Sequence, residues 1–133
     1  MTFLLSWGII LAAFASTSPV MASNSPVATS TEAIQEFAAS SFEGTPLLAI
    51  TSCESGNGKG SVNQYDKKGN VLTHFNDNKT FDLGVGQINS VHLEEAARMG
   101  LNLNDPYDNI DFTLWLYVQQ GTNPWKASSK CWQ

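Results

Sequence analysis

Apolar residues recur at intervals of three and four positions near residues 30–42, as they do on one face of an amphipathic helix. Thr29 and Glu32 have the spacing of a capping box at its start, and Gly44 is a typical stop. The apolar positions are Ile34, Phe37, Ala38 and Phe42. This pattern predicts a first helix over about 30–42.

A more uniformly apolar stretch follows Thr45 and Pro46, a pair typical of a helix N-cap and first turn. The positions predicted to be buried are Leu47, Leu48, Ile50 and Cys53. Residues 55–58 (Ser-Gly-Asn-Gly) are typical of a helix end and a loop. Glu54 is therefore predicted to lie in the last turn of a second helix.

The pattern changes between residues 61 and 81 to short β-favouring runs separated by polar turns. The runs 62–65 and 71–75 flank a polar stretch at 66–70. We interpret this stretch as a hairpin turn, because it lacks the acidic series and terminal Glu of a calcium loop. A small antiparallel sheet is predicted here.

Two further helices are predicted in the C-terminal half, over 90–99 and from 105 up to Gly121. Ser90 and the pair Asp105 and Pro106 are typical of helix starts, and a glycine follows each predicted helix. An irregular C-terminus is expected beyond them. The predicted order, with a small sheet between two helical pairs, is an α+β fold that is mainly α.

The chain begins without charge, and its first charged residue is Glu32. Residues 3–15 form a largely apolar run, too short to span a bilayer comfortably but of the length of a signal-peptide core. Small residues follow, and Val20, Met21 and Ala22 resemble a cleavage site. An uncleaved N-terminal anchor is the alternative. Both interpretations place the protein outside the cytoplasm, secreted or in the cell envelope, with membrane contact only through this segment.

The 133 residues are therefore divided into a signal peptide over 1–22, a flexible leader over 23–30 and one folded domain over 31–133. The leader is rich in Ser, Thr, Pro and Ala, which bury little surface. In an oxidising compartment Cys53 and Cys131 are expected to form a disulfide, which would contribute about 4 kcal/mol by closing a long loop. Two free thiols are the alternative.

The charge of the chain and the positions of its histidines argue against nucleic-acid binding and against a metal site. The net charge is -5 and the seven cations are scattered, so no basic surface for nucleic acid is predicted. His74 and His92 lack companions at metal-ligand spacing, and neither a metal nor another cofactor is expected. Trp125 and Trp132 are candidates either for sugar stacking or for anchoring the core.

A carboxyl group in the last turn of a buried helix is unusual, because the helix dipole disfavours a negative charge there. Desolvation by apolar neighbours acts in the same direction, and both effects raise the pKa. Glu54 is therefore a candidate general acid. A solvated surface glutamate is the alternative.

Residues 82–90 (Asp-Leu-Gly-Val-Gly-Gln-Ile-Asn-Ser) supply a second candidate segment. Gly84 and Gly86 permit close backbone approach, and the amides of Gln87 and Asn89 suit sugar hydroxyls and acetamides. The alternative is a strand-to-helix turn in which the glycines and amides serve local geometry.

Residues 53–56 (Cys-Glu-Ser-Gly) followed by 84–89 (Gly-Val-Gly-Gln-Ile-Asn) resemble the Glu-Ser and Gly-x-x-Gln-Ile motifs of soluble lytic transglycosylase catalytic domains. Residues 105–110 are similar to that family's Asn-Ile helix start. The resemblance implies a lysozyme-like fold, Glu54 as catalytic acid and base, and Tyr117 as its support. The substrate-binding residues that it implies are Ser55, Gly84, Gln87, Ile88, Asn89 and Tyr117.

Asp82 departs from that family, which usually has a small residue here and acts with one Glu. The segment that begins at Asp82 is similar instead to the part of animal lysozymes that carries a second catalytic carboxylate. Two mechanisms are open. Either Asp82 attacks or stabilises the sugar cation in a retaining hydrolysis, or Glu54 acts alone while the sugar's 6-hydroxyl closes an anhydro ring. A surface Asp at a strand end is the alternative for Asp82.

The expected function is cleavage of the β-1,4 bond between N-acetylmuramic acid and N-acetylglucosamine in peptidoglycan strands, by a monomer without cofactors. A non-catalytic glycan-binding or envelope-assembly module on the same fold is the alternative. A purely structural secreted protein would leave both motifs unexplained.

Overall fold

The computed structural model describes residues 30–133, so the predicted signal peptide at 1–22 and the leader up to residue 29 lie outside the described residues. The described chain is α+β, mainly helical, as predicted. Within it, no helix combines the length and apolarity needed to cross a membrane. The elements are α1 (Thr31–Ser41), α2 (Leu47–Ser55), β1 (Thr73–Phe75), β2 (Phe81–Leu83), β3 (Ile88–Asn89), a 3-10 turn (Ser90–His92), α3 (Leu93–Arg98), α4 (Pro106–Gln120), a C-terminal 3-10 segment (Asn123–Ser128) and α5 (Ser129–Trp132).

The first two helices begin close to their predicted starts. Ser30 caps α1, because its hydroxyl accepts from the backbone N–H of Ala33 at 3.1 Å. The N-cap is therefore Ser30 rather than Thr29, which lies outside the described residues, and with Ala33 at the third helical position the predicted capping box does not form. Thr45 Oγ1 accepts from the N–H of Leu47 at 3.1 Å at the start of α2. Glu54 lies in the last turn of α2, as predicted.

The sheet has three antiparallel strands in the order β1-β2-β3. The predicted run 62–65 is not a strand, and only Tyr65 forms an isolated bridge, with Val71. The alternation at 62–65 has another cause: Val62 and Gln64 point into the core, where Gln64 bonds to distant backbone groups. The predicted turn at 66–70 is confirmed, with Asp66 N–H donating to the Asn70 carbonyl at 2.8 Å.

The C-terminal half differs from the prediction at two points. Asn89, rather than Ser90, caps the 3-10 turn, since its Oδ1 accepts from the N–H of Val91 at 3.1 Å. The predicted helix over 90–99 is consequently a 3-10 turn followed by the short α3. The C-terminus is helical rather than irregular. The helix predicted after Asp105 is confirmed as α4, with that residue as its cap and Gly121 at its end.

The core joins the helices to the sheet. Helix α1 contacts α4, while α2 contacts α5 and the C-terminal 3-10 segment. The buried apolar side chains include Ile34, Phe42, Leu47, Ile50, Val85, Ile88, Ile110, Phe112, Leu116 and Trp125. Cys53 and Cys131 form the predicted disulfide, with their Cα atoms 6.0 Å apart. This bond fixes the C-terminus of the chain to the helix that carries Glu54.

Candidate active site

A polar cleft of about 440 Å³ contains both predicted catalytic carboxylates, Glu54 and Asp82. Its other lining residues come from the sheet and the turn between β1 and β2, from the 3-10 turn, from α4 and from the C-terminal 3-10 segment. Gln87, Ile88 and Asn89 also line it. The structure therefore brings together five of the residues that the sequence motifs single out.

Glu54 is half-buried and is held by a residue that the sequence did not indicate. The hydroxyl of Ser128, in the C-terminal 3-10 segment, donates to Oε1 of Glu54. Ser128 Oγ also accepts from Trp132 Nε1 at 3.1 Å and lies 3.1 Å from the carbonyl oxygen of Trp125. Oε2 of Glu54 has no hydrogen-bond partner among residues 30–133, so it is the carboxyl oxygen that the described protein leaves unpaired.

The surroundings of Glu54 favour its neutral form. Burial raises the pKa of this carboxyl above its ordinary value of 4.5. Donation from Ser128 to the ionised form opposes this shift, the charge of Asp82 adds to it, and His74 opposes it. Because burial is the largest contribution, the pKa is raised overall, as the position at the end of a buried helix predicts.

Asp82 is held by an amide on each carboxylate oxygen. Asn89 Nδ2 donates to Oδ1 at 2.9 Å, and Asn76 Nδ2 donates to Oδ2 at 3.1 Å. The same two amides donate to Thr80 Oγ1, at 3.1 and 3.2 Å respectively. On β1, His74 lies directly opposite Asp82. Asp82 is thus a half-buried, oriented carboxylate in the cleft rather than a free aspartate at a strand end.

The two glycines beside the cleft serve packing. Gly84 is buried at a φ of 66°, and a Cβ there would collide with Gln64 Oε1 and Asn109 Nδ2. A Cβ on Gly86 would collide with Thr113 Oγ1. Gly84 was predicted to bind substrate. The backbone of Gly84 instead lies close to buried side chains of the protein itself.

Buried side chains hold the 83–86 backbone in place. Gln64 Oε1 accepts from the N–H of Val85 at 2.9 Å, and Asn109 Oδ1 accepts from the N–H of Gly86 at 2.9 Å. Trp125 Nε1 donates to the Gly86 carbonyl at 2.8 Å. Trp125 therefore anchors the core as well as lining the cleft.

Two predicted site residues lie elsewhere. Ser55 is buried, where its hydroxyl donates to the Thr51 carbonyl at 3.0 Å and accepts from the N–H of Asn63 at 3.1 Å. It lines a different cavity from Glu54. Tyr117 is half-buried on α4 and does not line the cleft. Within the described chain Ser128, not Tyr117, is the hydrogen-bond partner of Glu54.

Gln87 lines the cleft, but its amide nitrogen is already used within the protein. Nε2 donates to the carbonyls of Leu72 at 3.2 Å and Gly84 at 3.0 Å. Its backbone has a φ of 46°, unusual for a residue with a side chain. These contacts stabilise the turn after β2, and they leave the Gln87 amide oxygen as its group for a ligand.

No group of three or more His, Cys, Asp or Glu side chains that could hold a metal occurs within residues 30–133. The chain matches no protein-family model, no curated protein and no solved structure. The chemistry of the cleft is therefore inferred from its own residues.

Proposed function

We propose that this protein cleaves the β-1,4 bond between N-acetylmuramic acid and N-acetylglucosamine in peptidoglycan, with Glu54 as the general acid. The observation that carries the proposal is that Glu54 and Asp82 share one cleft but have different surroundings. Burial favours the neutral form of Glu54, whereas two amides donate to the carboxylate of Asp82. Glycosidases divide the roles of acid and nucleophile between two carboxyl groups in this way.

In the proposed reaction, Glu54 gives its Oε2 proton to the glycosidic oxygen as the bond to the sugar carbon breaks. The ionised carboxylate of Asp82 attacks that carbon or stabilises its positive charge. Glu54, now ionised, takes a proton from water, and the hydroxide adds to the same carbon, displacing the Asp82 oxygen where a covalent bond has formed. Glu54 and Asp82 both return to their starting states, and no cofactor takes part.

Lytic transglycosylation is the second form of the proposed activity. Glu54 alone would then act as acid and base, and the 6-hydroxyl of the muramic acid would attack the sugar carbon in place of water. The motif resemblance at residues 53–56 and 84–89 supports this route. The two amides that orient Asp82 in the same cleft as Glu54 support hydrolysis, because they hold a second carboxylate in a fixed direction there.

The proposed fold class and location follow from the same features. A three-stranded antiparallel sheet beside a cleft, with the acid at the end of a buried helix, supports a lysozyme-like fold. The disulfide between Cys53 and Cys131 supports an extracytoplasmic location, where such bonds persist. Peptidoglycan is exposed to enzymes in that compartment.

The test is to incubate the purified protein with isolated peptidoglycan and to analyse the soluble products by mass spectrometry. We expect muropeptides from the wild type and at least about a hundredfold slower release by Glu54→Gln, the effect of removing a general acid. Glu36→Gln, an exposed glutamate on α1, is the matched control and should keep full activity. Undiminished release by Glu54→Gln would refute the assignment. Saturable binding of glycan strands without any product would favour the non-catalytic module.

A further inference from the structure

His92 is a residue of the cleft that the proposed reaction does not use. It ends the 3-10 turn after β3, is half-buried and lines the same cleft as Glu54 and Asp82. Its ring packs against Phe112 of α4, with the two ring centroids 5.8 Å apart. The imidazole is therefore supported by the core, since Phe112 is fully buried.

The ring nitrogens of His92 are available to a ligand. Neither nitrogen has a hydrogen-bond partner among residues 30–133, and no buried side-chain nitrogen or oxygen in this range lacks one. The nitrogens of this half-buried ring are therefore accessible. A protonated imidazole has two N–H donors and no acceptor, so it suits the oxygens of an anion.

His92 is also the lining residue that can carry a positive charge. Two acidic side chains, Glu54 and Asp82, line the cleft, and no Lys or Arg of the described chain does. His74 lies opposite Asp82 on β1 but does not line the cleft. The chain as a whole has a net charge of -5. Within the cleft lining, attraction for an anionic group therefore comes from His92.

The proposed substrate carries anionic groups. Muramic acid differs from N-acetylglucosamine by a lactyl ether, whose carboxyl group is free in strands without peptides. In strands with peptides that carboxyl is an amide, and the attached peptide carries carboxylates of its own. Repulsion between such a carboxylate and Asp82 opposes binding. A positively charged donor in the same cleft offsets this repulsion and adds a charge-assisted hydrogen bond.

We propose that protonated His92 is a specificity-determining residue, which binds a carboxylate of the muramic acid residue or of its peptide. A strand that carries carboxylates is then preferred over an uncharged polymer of N-acetylglucosamine. The inference rests on the proposed function for its substrate. It does not rest on cleavage, because binding alone reveals the preference.

The test measures the binding of three glycans to Glu54→Gln, in which we expect slow cleavage, by calorimetry at mildly acidic pH, where histidine side chains carry a positive charge. The glycans are an uncharged N-acetylglucosamine oligomer, peptide-free strands with the lactyl carboxylate, and strands that keep their peptides. We expect a carboxylate-bearing strand to bind about tenfold more tightly than the oligomer, the effect of one charge-assisted hydrogen bond. A gain with the peptide-free strand identifies the lactyl carboxylate as the ligand, and a gain with the other strand identifies the peptide.

Changes at His92 should remove or retain this preference according to charge. Adding His92→Gln should abolish it and leave binding of the oligomer nearly unchanged, because glutamine can donate but carries no charge. His92→Lys should retain a preference. Arg98→Gln is the matched control, because it removes a positive charge from α3 outside the cleft lining, and it should leave the preference unchanged. Equal weakening of all three glycans by His92→Gln, or a preference that survives it, would overturn the assignment.

A second measurement leaves His92 unaltered. In NMR spectra of Glu54→Gln, the imidazole signals of His92 should shift on addition of the carboxylate-bearing strand and much less on addition of the oligomer. Equal shifts with both glycans, or no shift with either, would overturn the assignment even if the variants of His92 do not fold.

The kinetic comparison separates this inference from the proposed function. His92→Gln should raise KM for peptidoglycan about tenfold with little change in kcat, because the contact is made equally before and during the reaction. A wild-type KM in His92→Gln would overturn the role of His92, while Glu54 would remain the general acid. If Glu54→Gln still releases muropeptides, the acid assignment is refuted, and the KM comparison still decides the role of His92.

Discussion

Asp82 and Asn89 face each other across strands β2 and β3, and Asn89 Nδ2 donates to Asp82 Oδ1 at 2.9 Å. Asn76 Nδ2 donates to the other oxygen at 3.1 Å. The carboxylate is therefore fixed in direction from both sides of its strand. A carboxylate that must meet a sugar carbon requires such a fixed direction, because small errors in orientation slow a reaction strongly.

Removal of one of these amides should slow cleavage. We expect Asn76→Ala to lower kcat/KM about tenfold, since Asp82 keeps its charge but loses the partner of Oδ2. The measurement is the initial rate of peptidoglycan clearing. Asn70→Ala is the control, because Asn70 is exposed in the turn at 66–70. An equal loss in both variants would mean that the effect is not specific to Asp82.

Asp82→Asn distinguishes the two proposed routes. With hydrolysis, the wild type should release products with reducing ends, and Asp82→Asn should be at least about a hundredfold slower because no ionised carboxylate meets the sugar cation. Mass spectrometry of the products and a rate assay make the test together. Anhydro ends, with Asp82→Asn nearly as active as the wild type, would establish transglycosylation by Glu54 alone.

Because its pKa is raised in the folded protein, Glu54 should make the free energy of unfolding depend on pH. Folded protein binds this proton more tightly than the unfolded chain, whose carboxyl has the ordinary value of 4.5. The resulting stability is fully present below that value and is lost as pH rises through the folded pKa. The free energy of unfolding of Glu54→Gln, relative to wild type, should therefore increase as pH rises above 4.5 and then level off. Urea denaturation across this range measures it.

Glu36→Gln is the control for this pH series, because Glu36 is exposed on α1. Its free energy of unfolding relative to wild type should change little with pH. A difference for Glu54→Gln that is constant with pH, or that falls as pH rises, would contradict the raised pKa.

Local chemistry explains which parts of the fold could be predicted. The ends of α4 were predicted correctly, because each is set by residues at the end itself. These residues are Asp105 and Pro106 at the start and Gly121 at the end. Glu54 was placed correctly for the same reason, since α2 begins and ends with local signals. The strand predicted at 62–65 was wrong. The alternating pattern there reflects the long-range hydrogen bonds of the buried Gln64 side chain and not pairing with another strand.

The site was predictable only in part, because several of its contacts join distant residues. Glu54 and Asp82 were found through motifs, but Ser128 lies 74 residues after Glu54 in a segment without a periodic pattern. Nothing local indicates that its hydroxyl reaches the acid. The weak available signal was the disulfide, which places Cys131, and with it the preceding turn, beside the end of α2. Asn76 and Thr80 were missed because they resemble ordinary turn residues.

The buried amide of Asn109 predicts a large effect on stability. It accepts from the N–H of Gly86 and donates to the Leu83 carbonyl, both at 2.9 Å. Asn109→Ala would leave these buried groups without a partner, so we expect the free energy of unfolding to fall by about 3 kcal/mol. Urea denaturation measures the loss, and Asn104→Ala, at an exposed position, should cost much less. Equal losses would contradict this role.

The disulfide should support both stability and the site. Cys53 precedes Glu54, and Cys131 belongs to α5 with Trp132, which donates to Ser128. The bond closes a span of 78 residues, so the Cys53→Ser, Cys131→Ser double variant should lose about 4 kcal/mol of stability. Under conditions in which the double variant is still folded, its cleavage rate should also be lower. Without the disulfide, α5 and its Trp132 hold Ser128 less firmly against Glu54. Full activity with reduced stability would show that the disulfide stabilises the folded protein but does not position Glu54.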